Sequence, residues 1–316
     1  MLRTAVIGTG YLGKFHAEKY FKLKNSQLQF LVDPNFEAAS ALAKKYKCTA
    51  AQNYHDLVGK VDAVSIVTPT SSHYEIAKFF LSHGIHVLVE KPMVVTLKEA
   101  DDLIALAQQH KLVLQVGYLE RFNPVILDVM PQITEPKFIE STRIMGFNPR
   151  NKDVNVILDL MIHDIDLIQS IVGHEIKSID TSGIEVLSNS LDIVSARLHF
   201  DNGCVANVTA SRISLKSERK LRIFQADAYF SLDLQNKEGV ICRKGVGEML
   251  PGIPNIDRKV LKPKDNDALL TEIAAFLEAI ENNTPPKVTG EDGKRSLAVA
   301  ISMTEQIKQQ NAGSAS

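Results

Sequence analysis

Residues 4–13, Thr4-Ala5-Val6-Ile7-Gly8-Thr9-Gly10-Tyr11-Leu12-Gly13, run from an apolar strand pattern straight into three glycines spaced G-x-G-x-x-G, and helical sequence follows. This order predicts a dinucleotide site. Gly8 permits a tight turn, Gly10 lets backbone approach a pyrophosphate, and Gly13 lets the helix pack on the strand, with the N–H groups of the helix start and its positive dipole end facing the phosphates. Glycine-rich turns are common, so the motif alone leaves an ordinary turn open. A second apolar run, Leu28-Gln29-Phe30-Leu31-Val32, ends in Asp33, about 20 residues beyond Gly13, where the fingerprint places an acid for the adenosine ribose. The combined βαβ context favours the dinucleotide, with cradle contacts from Gly8, Thr9, Gly10, Tyr11, Leu12 and Gly13. A carboxylate at Asp33 accepts from a ribose 2′-OH and repels a 2′-phosphate. Pro34 and Asn35 follow with no arginine, so the expected cofactor is NAD and not NADP.

Apolar runs at 4–7, 29–32, 63–67, 86–89 and 113–116 alternate with helical stretches such as 36–45, 73–82 and 97–109. That alternation predicts a parallel sheet of Rossmann type with helices on both faces. Beyond Gly117 the pattern changes: a helical segment at 156–172 precedes alternating runs at 193–200, 204–211, 220–224 and 229–234, with Asp201-Asn202-Gly203 as a hairpin turn. The expected fold is an α/β Rossmann domain over 1–120 and an α+β substrate-binding and oligomerisation domain over 121–316, whose mostly antiparallel sheet is open on one face. An open face is commonly covered by a second subunit, so a homodimer or homotetramer through this sheet is expected. Amphipathic helices are expected at 269–280 and 294–310, then a frayed polar tail.

The formal net charge is −1, with Lys and Arg dispersed along the chain, which argues for a small-molecule partner and against nucleic acid. No apolar run reaches membrane-spanning length, and the first strand begins almost at once with no export signal. Cys48, Cys204 and Cys242 are odd in number and far apart. They suit a reducing compartment, so a cytoplasmic protein with packed thiols is expected.

Three constellations fall near strand ends, where a nucleotide-binding sheet carries its site. Thr68, Pro69 and Thr70, followed by His73, read as a turn lining the cofactor. For His73 alone an ordinary proline turn with a capping serine is the simpler reading. Glu90-Lys91-Pro92 places two charges at the end of the apolar run Val87-Leu88-Val89. Lys91 in a partly desolvated cleft can hold a substrate oxygen, the alternative being a surface ion pair. The segment Val156–Leu167 is apolar nearly all round, with Asp159, His163 and Asp166 at i, i+4 and i+7 as one polar stripe. A carboxylate one turn from an imidazole can orient it and stabilise the imidazolium formed on taking a proton. A satisfied core pair is the alternative, and a metal site lacks a full ligand set, so no metal is expected.

The Rossmann fingerprint, the T-P-T-x-x-H turn, the E-K-P triplet and the D-x-x-x-H-x-x-D helix, in that order and with the late segment Val288-Thr289-Gly290-Glu291-Asp292-Gly293, resemble the Gfo/Idh/MocA oxidoreductase family over essentially the whole chain. The resemblance implies that Lys91 is the active-site lysine, His163 the general base and Asp159 its partner acid, in an NAD-dependent oxidation of a secondary hydroxyl on a sugar ring. Gly117-Tyr118-Leu119-Glu120-Arg121-Phe122-Asn123-Pro124 is similar to the corresponding segment of members acting on nucleotide-linked amino sugars. It implies oxidation at C3 of a UDP-linked N-acetylhexosamine, with Tyr118, Arg121, Asn123 and Arg150 as substrate contacts beside Lys91, Asp159 and His163. A structural ion pair for Arg121 is the alternative. Many members carry a glycine two residues after the motif aspartate and a glycine-rich lead before it, whereas this chain has Met161 and Asp153-Val154-Asn155. Two other functions stay open at this point: a free-polyol dehydrogenase or an NAD-recycling glycoside-processing enzyme, and a non-catalytic NAD(H) sensor.

Overall fold

The computed structural model describes residues 1–147, 155–264 and 266–314 in two compact units. The first comprises Met1–Phe122 together with Asp267–Leu297, and the second Asn123–Asn266 together with Ala298–Ser316.

In the first unit, strands β1 (Leu2–Ile7), β2 (Ser26–Val32), β3 (Thr49–Ala51), β4 (Ala63–Ile66), β5 (His86–Glu90) and β6 (Leu114–Gly117) form an all-parallel sheet in the order β3-β2-β1-β4-β5-β6. The order reverses between β1 and β4, and a ligand crevice opens at such a switch point. Helices α1 (Tyr11–Lys22), α2 (Phe36–Tyr46), α3 (His73–Ser82) and α4 (Leu97–His110) make the crossovers. The sequence patterns locate these elements closely; only the three-residue β3 escapes them, being too short to show a period. The chain returns to this unit at α7 (Ala268–Asn282), which the 1–120/121–316 division does not contain. The reason is burial: Leu269, Ile273, Phe276 and Leu277 of α7 join one core with Val6, Ala17, Tyr20, Leu31 and Leu88. Next, Val116 N–H donates to Val288 O at 3.1 Å, so the following segment extends the β6 edge.

The second unit holds an eight-stranded sheet, ordered β14-β13-β12-β11-β7-β10-β9-β8: β7 (Pro136–Ile144), β8 (Ile176–Ile184), β9 (Ile193–Phe200), β10 (Val205–Ser211), β11 (Glu218–Gln225), β12 (Ala228–Asp233), β13 (Glu238–Leu250) and β14 (Ile253–Leu261). Every pairing is antiparallel except β7 with β10. The predicted turn at Asp201-Asn202-Gly203 joins β9 to β10, with Gly203 at φ +83°. Helix α6 (Ile162–Val172) packs on β7 and β10, and α5 (Pro124–Val129) opens the unit. The alternate residues Glu140, Thr142, Asn207, Thr209, Lys220 and Arg222 line a polar cleft of about 220 Å³. α8 (Gly290–Ser314) extends over residues 311–314 of the tail expected to fray.

Candidate active site

The turn after β1 takes the conformation that its glycines permit. Gly8 has φ +95°, and a Cβ there would lie 2.5 Å from Val67 O. A Cβ on Gly13 would sit 2.0 Å from Gly8 O, so the start of α1 presses directly on the turn. At Gly10, the N-cap of α1, a Cβ would meet nothing within 4 Å, and no side chain caps the helix. The backbone N–H groups there are thus available to an anion.

Asp33, at the end of β2, is fixed in place: Oδ2 accepts from Thr9 N at 2.8 Å and from Thr9 Oγ1 at 2.9 Å, while Oδ1 accepts from Asn35 N at 2.9 Å. Thr9 is 2 % exposed and so serves to hold Asp33 as much as to contact a ligand. These groups border a cleft of about 690 Å³ that also takes in Thr68 and Pro69 from the β4 end. Gln52, Asn53 and Tyr54 line it as well; they belong to a loop whose sequence carries no dinucleotide signature. A dinucleotide fits: an uncapped helix start for phosphate, space at Gly10, and an oriented carboxylate beside the turn.

His73 has a different use from the cofactor contact considered above. It is 1 % exposed, with Nε2 2.8 Å from Thr68 O and Nδ1 3.0 Å from Pro92 O, so it ties the turn after β4 to the segment after β5. Ser72 Oγ donates to Thr68 Oγ1 and to Pro69 O, both at 2.8 Å, and Thr70 begins a single 3-10 turn. Glu90 also turns inward: Oε1 lies 3.1 Å from Nε2 of the buried His16, and a Cβ on Gly117 would meet the Glu90 carboxylate at 3.0–3.2 Å. Its partner is therefore an interior imidazole and not a surface cation. Lys91 follows, half-buried.

Of the substrate candidates in the segment after β6, two belong to the fold. Tyr118 is wholly buried. Asn123 is 5 % exposed; Oδ1 accepts from Val125 N at 3.2 Å as the cap of α5, and Nδ2 donates to Leu234 O at 2.9 Å. Both expectations are corrected on these grounds, since a capping amide inside the protein presents no edge to a sugar. Arg121 Nη2 stands 3.6 Å from Asp292 Oδ1, the ion-pair arrangement weighed above. Arg150, Asp153 and Val154 lie outside the described residues.

In the second unit, Asp159 lies in a π-helical stretch, Ile157–Met161, with Ile162 N–H reaching back to Ile157 O, and His163 lies in the first turn of α6. The i→i+5 winding changes the angular step between Asp159 and His163, so the simple α-helical stripe does not hold across the junction. Asp159 and His163 are partly exposed, whereas Asp166 is 1 % exposed and belongs to the interior. Two buried ion pairs fix this segment. Asp164 Oδ2 accepts from Arg143 Nε at 2.6 Å and Oδ1 from Ser141 Oγ at 2.8 Å, pinning α6 to β7. Asp192 gathers the N–H groups of Val186, Leu187 and Ser188 and accepts from Arg212 Nε at 2.7 Å. The loop so held gives Leu191 O to Val156 N at 3.0 Å, at the head of the π-helical stretch. Burial works against ionised Asp192, but the backbone donors and the Arg212 guanidinium outweigh it and hold the carboxyl well below the usual range.

Cys48, Cys204 and Cys242 are free thiols, and burial pushes Cys48 and Cys204 up to about 11, which makes them poor nucleophiles at neutral pH. Among the described residues no group of three His, Cys, Asp or Glu side chains could hold a metal ion, and no helix is long and apolar enough to cross a membrane.

A doubly wound sheet with an oriented acid after β2 and an uncapped helix start is the architecture of a dinucleotide-binding domain, and the comparisons with known proteins make it that of an NAD-dependent oxidoreductase. Residues 2–118 match the model for the oxidoreductase family with an NAD-binding Rossmann fold, and residues 143–231 that for the GFO/IDH/MocA C-terminal domain. The chain belongs to the Gfo/Idh/MocA family. It is 40% identical over 301 residues, 95% of each chain, to UDP-N-acetylglucosamine 3-dehydrogenase of Acidithiobacillus ferrooxidans. A solved structure of that enzyme aligns with a TM-score of 0.92 at 38% identity over 98% of both chains. The scyllo-inositol 2-dehydrogenase (NAD(+)) of Bacillus subtilis is 25% identical over 97% of this chain and 94% of its own length.

Proposed function

We propose that this protein oxidises the C3 hydroxyl of UDP-N-acetylglucosamine, or a close UDP-linked N-acetylhexosamine, to a keto-sugar. The observation that carries this reading is the 40% identity over 95% of both chains to an enzyme named for that reaction, against 25% for the inositol relative. NAD supplies the hydride acceptor. His163 accepts the hydroxyl proton, with Asp159 stabilising the imidazolium, and Lys91 donates a charged hydrogen bond to the hydroxyl oxygen as the C3–H bond breaks. Among the sugar-recognition candidates Arg121 remains, with Arg150 proposed from sequence alone.

A homodimer or homotetramer through the polar open face of the second unit is part of this proposal, as is a cytoplasmic location, which the three free thiols suit. Light scattering at micromolar concentration tests the assembly, and a monomeric mass contradicts it. For activity, NADH formation is followed on mixing protein and NAD with UDP-N-acetylglucosamine, free N-acetylglucosamine or myo-inositol. Turnover with the UDP-sugar alone is expected. Turnover with the free polyol and not the UDP-sugar would overturn the substrate and leave the reaction class standing.

A further inference from the structure

Beneath the β5 end lies a set of polar groups that the proposed reaction does not use. Glu272 of α7 is 0% exposed, and among the described residues neither carboxyl oxygen has a hydrogen-bond partner; Gln115 Oε1 and His16 Nδ1 are buried and unpartnered in the same way. These groups belong to one cluster. Gln115 Nε2 donates to Glu272 O at 3.1 Å, fixing α7 over β6. Gln115 and Gly117 share a face of β6, and Glu90 pairs in register with Gly117, so Glu90 projects to that same face. His16 reaches Glu90 from α1, which packs on α7, and Tyr20, one turn further along α1, bonds to Ser65 Oγ at 2.8 Å.

We propose that Glu272 keeps its proton in the folded protein and acts as a positioning residue, leaving the negative charge of the cluster on Glu90, one residue before Lys91. An ionised carboxylate with both oxygens buried and no donor lacks the compensation that buried charge requires. Burial, then the charge of Glu90, pushes the Glu272 carboxyl well above the usual range, and burial pushes the Tyr20 phenol up as well. The other charged groups on the elements packed against α7 have partners of their own: Lys19 bonds to Asp267 at 2.7 Å and Glu18 at 3.1 Å, and Arg121 faces Asp292. Glu120 shares the 3-10 turn Leu119–Phe122 with Arg121, and β6 adds no ionisable side chain to this face. Loss of the Glu272 proton would place two carboxylates in one interior cluster and drive Glu90 from His16 and from the space over Gly117, carrying Lys91 with it. Packing alone does not call for an acid here, because Glu272 sits in the apolar stripe of Leu269, Ile273 and Phe276, where an apolar side chain leaves no oxygen unpaired.

The test compares the full-length protein with Glu272→Gln, and with Glu272→Met as a second variant of similar volume. Infrared difference spectra at neutral pH should show a protonated-carboxyl stretch in the wild type, moved by D2O and missing from either variant. The melting temperature of either variant, relative to wild type, should rise between pH 5 and pH 8, because the unfolded chain releases this proton near the ordinary carboxyl value while the folded chain retains it. In a Glu90→Gln background that rise should be smaller. For positioning, Glu272→Ala should lose at least about tenfold in kcat with KM little changed, and Glu272→Gln should restore most of the loss. A missing carboxyl band, a difference in melting temperature that is flat with pH, or a Gln variant no better than Ala overturns the proposal. Only the kcat comparison rests on the proposed function, so a protein inactive on the UDP-sugar is still judged by the spectral and stability results.

Discussion

The helix that carries His163 is held to its sheet by a buried ion pair, and replacing Asp164 by alanine measures that hold. The Arg143 and Asp164 side chains are 5% and 2% exposed, so solvent and salt screen the pair little. Asp164→Ala removes the contacts from Arg143 Nε at 2.6 Å, Arg143 Nη2 at 3.3 Å and Ser141 Oγ at 2.8 Å, and takes this carboxylate from a buried guanidinium. Breaking one partner of such a pair costs about 3–5 kcal/mol. For a unit of this size that corresponds to a fall in melting temperature of roughly 6–20 °C. Removing both charges tells a different story, because well-packed apolar replacements of a buried pair are often neutral. The double variant Arg143→Met/Asp164→Leu should therefore recover most of the loss. Thermal and urea denaturation read both, and kcat reports whether α6 still presents His163. An Asp164→Ala cost below about 1 kcal/mol, the range of an exposed pair, would falsify the assignment of this pair as the anchor of the helix.

Other consequences are direct. Gly13→Ala places a methyl 2.0 Å from Gly8 O, and overpacking of about 1–3 kcal/mol should weaken NADH binding roughly 5- to 150-fold by fluorescence titration, with the circular dichroism unchanged. Lys91→Ala and His163→Ala should each lower kcat by about 10²–10⁴-fold while NADH affinity stays within a few fold; wild-type turnover in both contradicts their roles. Because folding depresses the Asp192 carboxyl, its contribution is present above the unfolded value near pH 4 and drains away as the pH falls towards the folded value. Asp192→Asn should therefore be less stable than wild type at pH 7, with the gap narrowing below pH 4; a gap constant with pH would refute the linkage.

What the sequence alone determined is local in origin. Three glycines at fixed spacing and an acid about 20 residues on are bound by backbone geometry and by the length of one βαβ unit, so the cleft was legible from residues 4–33. The runs at 193–200 and 204–211 were legible because their period of two is a property of the strand itself. The features decided by tertiary structure involve partners distant in the chain. His73 reads as a turn residue until Thr68 and Pro92 bring their carbonyls to its two nitrogens. Asn123 reads as a polar side chain open to a ligand until Leu234 takes its amide. The π-helical winding at Ile157–Met161, which breaks the expected stripe, leaves no mark in the order of apolar residues. Glu272 did leave one, an acid inside the apolar stripe of α7, yet its meaning depends on α7 returning to a unit that begins more than 250 residues earlier and closing over Gln115 and Glu90. Periodicity records which face of an element is buried; it carries no record of which polar groups from elsewhere are buried with it, and in a low-dielectric interior those neighbours decide where a proton or a charge resides.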